Sequence, residues 1–245
     1  MDLTHNTILV TGGAGGIGLA LAERFLKAGN IVVVCGRRKD KLKAALDGTS
    51  GLRGLVCDVG QPAERERLAE WAVREFPDLN VLVNNAGIQR KVDLAAPRPW
   101  DELRDEIAIN LEAPIHLSML LAGHLSGKAG AAILNVSSGL AFTPMAAAPV
   151  YCAAKAGVHS FSLSLRHQLA GRGIEVVEII PPAVNTDLGG PGRHAFGVPV
   201  GDFADAVMAG LARKETEIGY GASERAMRLT REEADRITDG INARS

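Results

Sequence analysis

Short apolar runs alternate with longer amphipathic stretches along most of the 245-residue chain. The runs are rich in Val, Ile and Leu and predict buried strands at 7–11, 31–35, 53–57, 80–84, 131–136 and 174–180. Between them, helical periodicity predicts helices near 16–28, 39–46, 62–76, 99–126 and 150–171. Strands that alternate with helices form a parallel sheet covered on both faces. The alternation therefore predicts an α/β protein with a Rossmann-type doubly wound sheet.

The pattern changes after residue 186, where the segment DLGGPGRHAFGVPVG contains five glycines and two prolines. That composition predicts a loop, followed by a short helix at 202–213 and a strand at 216–220. The tail at 222–245 is polar and charged, with some helical character. Because no interdomain linker is visible, we expect a single domain over 1–245.

The composition is that of an ordinary globular protein, with 47% hydrophobic and 22% charged residues and a formal net charge of −1. This balance does not indicate nucleic acid or an anionic membrane, so we expect a small-molecule partner. The three cysteines and six histidines show no metal-ligand spacing, so we expect buried thiols and no metal site. No secretion signal or membrane-spanning segment is predicted, and we expect a cytoplasmic protein.

A glycine-rich segment, ILVTGGAGGIG at 8–18, follows the first strand and leads into the first helix. Glycines let the backbone approach a phosphate closely, and a helix N-terminus presents free N–H groups to it. The glycines fit two registers, GxGxxG on Gly13, Gly15 and Gly18, or TGxxxGxG on Thr11, Gly12, Gly16 and Gly18. The position between a strand and a helix favours a dinucleotide site over a simple tight turn.

Tyr151 and Lys155 lie four residues apart on one predicted helix, so their side chains share a face. A free phenol titrates at about pH 10, and a nearby ammonium group lowers that pKa. Such a pair suits proton exchange with an alcohol or ketone oxygen. The alternative is a buried tyrosine beside a lysine that extends to solvent.

Ser138 follows the strand in AAILNVSS, at the edge of the sheet where ligands bind in open α/β folds. Its hydroxyl could donate a hydrogen bond to the oxygen that Tyr151 protonates. Ser137 is the competing candidate.

TGxxxGxG, NNAG at 84–87, Ser138 and YCAAK at 151–155 occur together in this chain. In this combination the chain resembles the short-chain dehydrogenase/reductase family over roughly residues 5 to 220. The resemblance implies a mostly parallel seven-stranded sheet in the order 3-2-1-4-5-6-7. It also implies an oxidoreductase that interconverts a carbonyl and a secondary alcohol by hydride transfer with a nicotinamide cofactor.

The resemblance assigns roles to individual residues. The catalytic set would be Asn110, Ser138, Tyr151 and Lys155, with Tyr151 as general acid/base. Tyr151 and Lys155 would also contact the cofactor, Lys155 at the nicotinamide ribose. The cofactor would contact Thr11, Gly12, Gly16, Ile17, Gly18, Asp58, Val59, Asn84, Ala86, Gly87, Pro181, Val184 and Thr186. The last three belong to PPAVNT, which resembles the family's PGxVxT with Pro182 in place of glycine.

Asn110 has a further feature, because Pro114 follows it by four residues inside a predicted helix. Proline has no N–H and cannot bond the Asn110 carbonyl, so we expect a kink and a free carbonyl there. In the family, an Asn at this position holds a water that links the lysine to solvent. The hypothesis is that the free carbonyl binds this water.

Arg37 and Arg38 occupy the tip of the second strand, where a dinucleotide fold usually carries an acid. A guanidinium group suits a 2′-phosphate, which a carboxylate would repel. NADP(H) is therefore favoured over NAD(H). Many NADP-dependent relatives carry another basic residue in the glycine loop, and in this chain that position is Gly15.

The substrate pocket is expected to form around the loop and helix at 187–213. Its predicted members are Gln89, Leu140, Phe142, Met145, His194 and Phe196. A 3-oxoacyl-carrier-protein reductase activity is one option, although VEIIPPAV departs from the usual VNxxxPG. The chain looks closer to bacterial oxidoreductases of poorly defined substrate, some named for a link to D-alanylation of teichoic acids.

Family members usually form dimers or tetramers, and we expect a homodimer or homotetramer through the helices at 99–126 and 150–171. Two other functions remain open at this point. A non-catalytic nucleotide-binding sensor on the same fold predicts a degraded catalytic set, whereas all four residues are present. An epimerase or dehydratase predicts TGxxGxxG and an added C-terminal substrate region, and neither is visible.

Overall fold

The computed structural model describes residues 1–243, and its strands form a single all-parallel sheet in the described part of the chain. In chain order the strands are β1 (Thr7–Thr11), β2 (Ile31–Gly36), β3 (Arg53–Val56), β4 (Leu79–Asn84), β5 (Ala132–Val136), β6 (Glu175–Ile180) and β7 (Glu217–Gly219). Their order across the sheet is β3-β2-β1-β4-β5-β6-β7. The predicted fold class and strand order are confirmed.

Helices connect the strands and cover both faces of the sheet. They are α1 (Gly16–Lys27), α2 (Lys39–Gly48), α3 (Pro62–Glu75), α4 (Trp100–Ile107), α5 (Ala113–Leu125), α6 (Pro149–Leu169), α7 (Val200–Ala212), α8 (Ala222–Ala226) and α9 (Arg231–Asn242). Short 3₁₀ turns occupy Gly139–Ala141 and Ala170–Arg172. Within the described residues, no helix combines the length and the apolar character needed to cross a membrane.

The strands are apolar on both faces because each face packs against a helical layer. In β1, Ile8 and Val10 belong to one apolar cluster and Leu9 belongs to the other. The first cluster includes Phe25 of α1 and Phe203 of α7. The second includes Leu68 of α3, Leu117 of α5 and Leu165 of α6. This double burial explains why the strands appear in the sequence as continuous apolar runs rather than as alternating patterns.

The helix predicted at 99–126 is present as consecutive helical segments over 100–125, and a π-helical segment at Ala108–Glu112 lies between α4 and α5 where a kink was expected. There the N–H of Ala113 bonds the carbonyl of Ala108, five residues earlier. Pro114 stands in the first turn of α5, where its missing N–H costs least. The proline therefore marks a widened turn and a new helix start, close to Asn110.

Candidate active site

A cavity of about 1130 Å³ opens at the carboxyl edge of the sheet. The loops that follow strands β1 to β6 line it, together with α6 and parts of the C-terminal helices. This edge of a doubly wound parallel sheet is where ligands bind. The remaining question is which side chains the fold brings to it.

Ser138, Tyr151 and Lys155 line the same part of this cavity. Ser138 stands two residues beyond β5, and the other two lie one turn apart on α6. The Lys155 Nζ atom donates a 2.8 Å hydrogen bond to the carbonyl of Val136 and lies 5.8 Å from the Tyr151 ring centroid. Ser138 hydrogen bonds with the Tyr151 phenol, whereas Ser137 bonds the Glu178 carboxylate. The structure thus places Ser138, and not Ser137, against the tyrosine.

Burial controls the titration of both Tyr151 and Lys155. It raises the pKa of Tyr151 to about 12, and the hydrogen bond with Ser138 opposes this rise. It lowers the pKa of Lys155 to about 8, and the negative charge of Glu178 opposes that fall. The pKa of Tyr151 is therefore raised rather than lowered in this structure, since loss of water around the phenol has the largest effect.

Asn110 lies in the π-helical segment, fully buried and outside the cavity lining. Its Oδ1 accepts a 2.9 Å hydrogen bond from the N–H of Ile88, and its Nδ2 donates a 2.8 Å hydrogen bond to the Ile88 carbonyl. A Cβ atom on Gly87 would lie 3.1 Å from Asn110 Oδ1 and 3.7 Å from Lys155 Nζ. The side chain of Asn110 therefore holds residues 87–88, which follow β4, in place beside Lys155. A water on its carbonyl remains a prediction.

The glycine loop forms a cradle at the start of α1. Gly12 has a φ of +66°, and a Cβ atom there would lie 2.8 Å from the Cα of Ala86. A Cβ atom on Gly18 would lie 2.3 Å from Asn85 Nδ2, so Gly18 provides room for the β4 loop rather than lining the cavity. Gly15, Gly16 and Ile17 do line it, and α1 has neither a side-chain cap nor an acid in its first turn. Free N–H groups at this helix start fit a dinucleotide pyrophosphate.

Thr11 supports the cradle from behind. Its Oγ1 accepts hydrogen bonds of 3.0 Å from the N–H groups of Asn85 and Ala86 and donates to the Val83 carbonyl. The cavity lining thus includes Asn85, Ala86 and Gly87 but neither Thr11 nor Asn84. Asn84 is buried and donates a 2.9 Å hydrogen bond to Asn135 Oδ1. The prediction that Asn84 lines the cavity is wrong, because its side chain turns into the core, and Asn85, the second asparagine of NNAG, lines the cavity instead.

Positive side chains surround the end of the cavity beside β2. Arg37 and Arg38 line it, as predicted, and so does Lys41 of α2. Lys41 Nζ donates a 2.9 Å hydrogen bond to Asp187, and this contact holds the Asp187 pKa below its ordinary value. Asp58 and Val59 line the wall nearby, and Asp58 Oδ1 accepts from the N–H of Gly60. Sequence reasoning missed Lys41 because helical periodicity does not indicate which solvent-facing lysine turns toward a ligand.

The cavity lining also includes the segment after β6, with Pro181, Pro182, Val184 and Thr186. Val184 pairs with Val198 in an isolated parallel bridge, and the N–H of Val198 donates a 2.9 Å hydrogen bond to the Ala183 carbonyl. The segment between them is therefore a loop whose two ends are joined. The proline at 182 does not remove this segment from the cavity.

At the far end, five of the six predicted substrate-pocket residues line the cavity, namely Gln89, Leu140, Met145, His194 and Phe196. Phe142 does not, because its ring packs against His159 with centroids 4.7 Å apart. His194 Nδ1 lies 2.9 Å from the Leu188 carbonyl. Phe196 is 79% exposed and stands at the rim.

The C-terminal tail also contributes to this end. Ile241 of α9 lines the cavity. Its neighbour Asn242 accepts a 2.6 Å hydrogen bond from the N–H of Ala146 and donates a 3.1 Å hydrogen bond to the Pro144 carbonyl. The capping-box sequence from Thr230 to Glu233 signals the helix start, but no local pattern shows where the helix docks.

The family model described as short chain dehydrogenase matches residues 6–195. The chain belongs to this family. It is 44% identical over 250 residues to "Uncharacterized oxidoreductase DltE" of Bacillus subtilis (strain 168), covering 99% of this chain and 98% of that protein.

Two solved structures of short-chain dehydrogenases and related reductases are similar to the whole fold. The short-chain dehydrogenase from Sphingobium yanoikuyae in complex with NADPH has a TM-score of 0.80 and 26% identity, covering 96% of this chain and 94% of that one. The 3-ketoacyl-(acyl-carrier-protein) reductase from Brucella melitensis complexed with NADH has a TM-score of 0.81 and 25% identity, covering 91% and 100%. The chain is an NAD(P)-dependent dehydrogenase/reductase.

Proposed function

We propose that this short-chain dehydrogenase interconverts a carbonyl and a secondary alcohol with NADP(H), using Tyr151 as the general acid/base. The observation that supports it most is the meeting of Ser138, Tyr151 and Lys155 in one cavity with the glycine cradle. A bound nicotinamide cofactor would supply or accept the hydride. The protein residues then need only orient the carbonyl oxygen and exchange its proton.

The protonation states of the three side chains suit reduction at neutral pH. With its pKa raised to about 12, the Tyr151 phenol is protonated and can donate to a developing alkoxide. Ser138 can donate a hydrogen bond to the same oxygen, since it already contacts the phenol. Lys155, whose pKa is lowered to about 8, is still mainly an ammonium at neutral pH and stabilises the negative charge that Tyr151 acquires.

We infer NADP(H) rather than NAD(H) from the charges beside β2. Arg37, Arg38 and Lys41 line that end of the cavity, and the strand tip carries no carboxylate. Charged hydrogen bonds from guanidinium groups favour a 2′-phosphate. Asp187 lies near this end, and its partner Lys41 offsets its charge. Solved relatives include one with NADPH and one with NADH, so cofactor preference requires its own measurement.

A 3-oxoacyl reductase is the second candidate, favoured by the likeness to the Brucella melitensis reductase. The pocket itself is mainly apolar, with Leu140, Met145, Leu188 and Ile241 on its walls. This lining suits an alkyl or aryl ketone as well as a short acyl chain. A panel of ketones and a 3-oxoacyl thioester, each assayed with NADPH and with NADH, separates these candidates. Specific binding of cofactor without turnover of any carbonyl would favour a sensor.

We also propose a homodimer or homotetramer through the helices predicted at 99–126 and 150–171. Several large apolar side chains on these helices are exposed, namely Trp100, Ile115, Met119 and Leu163. Exposed apolar groups of this kind mark association surfaces. We further propose a single functional domain, with 187–213 as substrate loop and helix, and a cytoplasmic location. Light scattering on the purified chain tests the assembly.

A further inference from the structure

A carboxylate lies buried behind the proposed catalytic residues. Glu178, in the middle of β6, is fully buried. Its Oε1 accepts a short hydrogen bond from Ser137 Oγ, and its Oε2 lies 2.8 Å from His159 Nδ1. A buried carboxylate is costly unless hydrogen bonds and positive charges compensate it. One of the groups that compensate Glu178 is Ser137, which also lines the cavity.

The cluster reaches from the cavity wall to the surface. Ser137 lines the cavity, and the adjacent Val136 carbonyl accepts the hydrogen bond from Lys155 Nζ. On α6, Tyr151, Lys155 and His159 follow one another at intervals of four residues and share a face. The His159 side chain is 26% exposed, so the outer end of the cluster exchanges protons with solvent.

We propose that Glu178 and His159 are positioning residues for Lys155. Glu178 acts as the internal counter-charge that keeps the lysine an ammonium, and His159 balances the carboxylate from the solvent side. The inference rests on the proposed function, since it assigns these residues to the same proton exchange. It adds two residues that lie outside the set of Asn110, Ser138, Tyr151 and Lys155.

The geometry excludes a different interpretation of the same residues. A serine nucleophile requires its hydroxyl to bond the imidazole, with the acid behind the histidine. Here the acid stands in the middle, between Ser137 and His159. The Ser137 hydroxyl therefore bonds a carboxylate and not the imidazole. In the described part of the chain, Glu178 also belongs to no group of residues that could hold a metal ion.

Glu178 acts in the same direction on the pKa values of Lys155 and His159. Burial lowers the pKa of Lys155, and Glu178 raises it. The hydrogen bond to Glu178 raises the pKa of His159, while burial opposes the rise. Glu217 of β7 acts on His159 in the same direction as Glu178, and Arg166 of α6 acts against it. Glu178 thus supports both cations, and its loss would weaken both.

The test uses NMR titration of the unliganded full chain, which needs no substrate. In the wild type, the His159 imidazole should titrate above the ordinary histidine value, and the Lys155 side chain below the ordinary lysine value. In Glu178→Gln both groups should titrate lower, by about one pH unit. In His159→Gln, which keeps a hydrogen-bond donor for Glu178, Lys155 should titrate no lower than in the wild type. His159→Gln and Lys155→Met assign the two signals.

Matched controls are Glu175→Gln on the same strand and His167→Gln on the same helix, both at exposed positions. Neither should move the Lys155 titration. An ordinary His159 titration in the wild type, or an equal fall of the Lys155 pKa in both cluster variants, overturns the proposal. The pH profile of kcat tests the proposed function, whereas the titrations test the role of Glu178 without any substrate. If no carbonyl is reduced, the function fails, while the titrations still decide the role of Glu178.

Discussion

The ammonium group of Lys155 bonds the carbonyl of Val136, the last residue of β5, at 2.8 Å. The same strand end continues through Ser137 into Ser138. Helix α6 and strand β5 are therefore tied together at the point where the proposed acid, its hydrogen-bonding serine and its cation meet. The hydrogen bond to the strand end holds the Lys155 ammonium beside Tyr151 and Ser138. We therefore expect the reaction at the site to depend on the charge of Lys155.

The pH dependence of reduction should follow Lys155. We expect kcat to be highest below about pH 8 and to fall as the pH rises through about 8, because the pKa of the buried ammonium is about 8. Tyr151, with its pKa raised to about 12, stays protonated over this range. Initial rates at saturating substrate from roughly pH 6 to 10 measure the profile. A rate that rises steadily above pH 8 would contradict the assignment.

Replacing Tyr151 by Phe should lower kcat by at least about 100-fold, since it removes the proton donor and little volume. The cofactor Kd should change by less than about threefold, because the glycine cradle is untouched. Turnover and fluorescence titration of NADPH measure the two effects. Tyr220→Phe is the matched control, because Tyr220 is the other tyrosine of the chain and lies outside the cavity lining. Comparable losses in both variants would argue against a role for Tyr151.

Replacing Arg37 by Asp should weaken NADPH binding by about 100-fold or more and NADH binding much less, since a charged hydrogen bond becomes a repulsion. The difference should shrink in high salt. Isothermal titration with both cofactors measures it. Lys43→Ala, on the same helix as Lys41 but outside the cavity lining, should change neither affinity. Equal weakening of the two cofactors would refute the 2′-phosphate assignment.

Gly15 and Gly18 should respond oppositely to substitution. A Cβ atom on Gly15 would meet nothing within 4 Å, and its φ of 173° is open to any residue. Gly15→Lys should therefore leave the Tm nearly unchanged and tighten NADPH relative to NADH by about tenfold. Gly18→Ala should lower the Tm and weaken both cofactors, because its Cβ atom would lie 2.6 Å from the Gly12 carbonyl oxygen. Thermal unfolding and cofactor titration check the pair, and a stable Gly18→Ala protein would contradict the packing argument.

Asn242→Ala should raise KM for bulky apolar substrates several-fold while leaving kcat and Tm nearly constant. The change removes the two hydrogen bonds to residues 144 and 146 that hold α9 near the cavity. Stability should change little, because α9 contains no buried residue. Steady-state kinetics and thermal unfolding measure this, with Arg236→Ala on the exposed side of α9 as control. An unchanged KM would show that α9 does not shape the pocket.

The sequence predicts the sheet and most of the cavity because these depend on local signals. Buried strands appear as apolar runs, and Tyr151 and Lys155 meet through helical geometry alone. Asn84 and Asn85 illustrate the limit. The two residues are adjacent and chemically identical, and the motif does not show that Asn84 turns into the core, where it bonds Asn135, while Asn85 lines the cavity.

Other features could not be predicted because they depend on contacts between residues far apart along the chain. Glu178 appears in the sequence as one acid in an apolar strand, and its partners lie 41 and 19 residues away along the chain. Ile241 lines the cavity although its helix, α9, is distant along the chain from most of the other lining residues. The kink expected at Pro114 takes the form of a π-helical segment, which contacts α6.

The bridge between Val184 and Val198 makes the segment it encloses a replaceable module. Its two ends are fixed to each other, so its length and composition can change without moving the wall that carries Pro181 and Val184. New substrate ranges could therefore be obtained by grafting different segments after Asp187 and before Val198, while Thr186, the pair of Asp187 with Lys41 and the cofactor half of the cavity remain as they are.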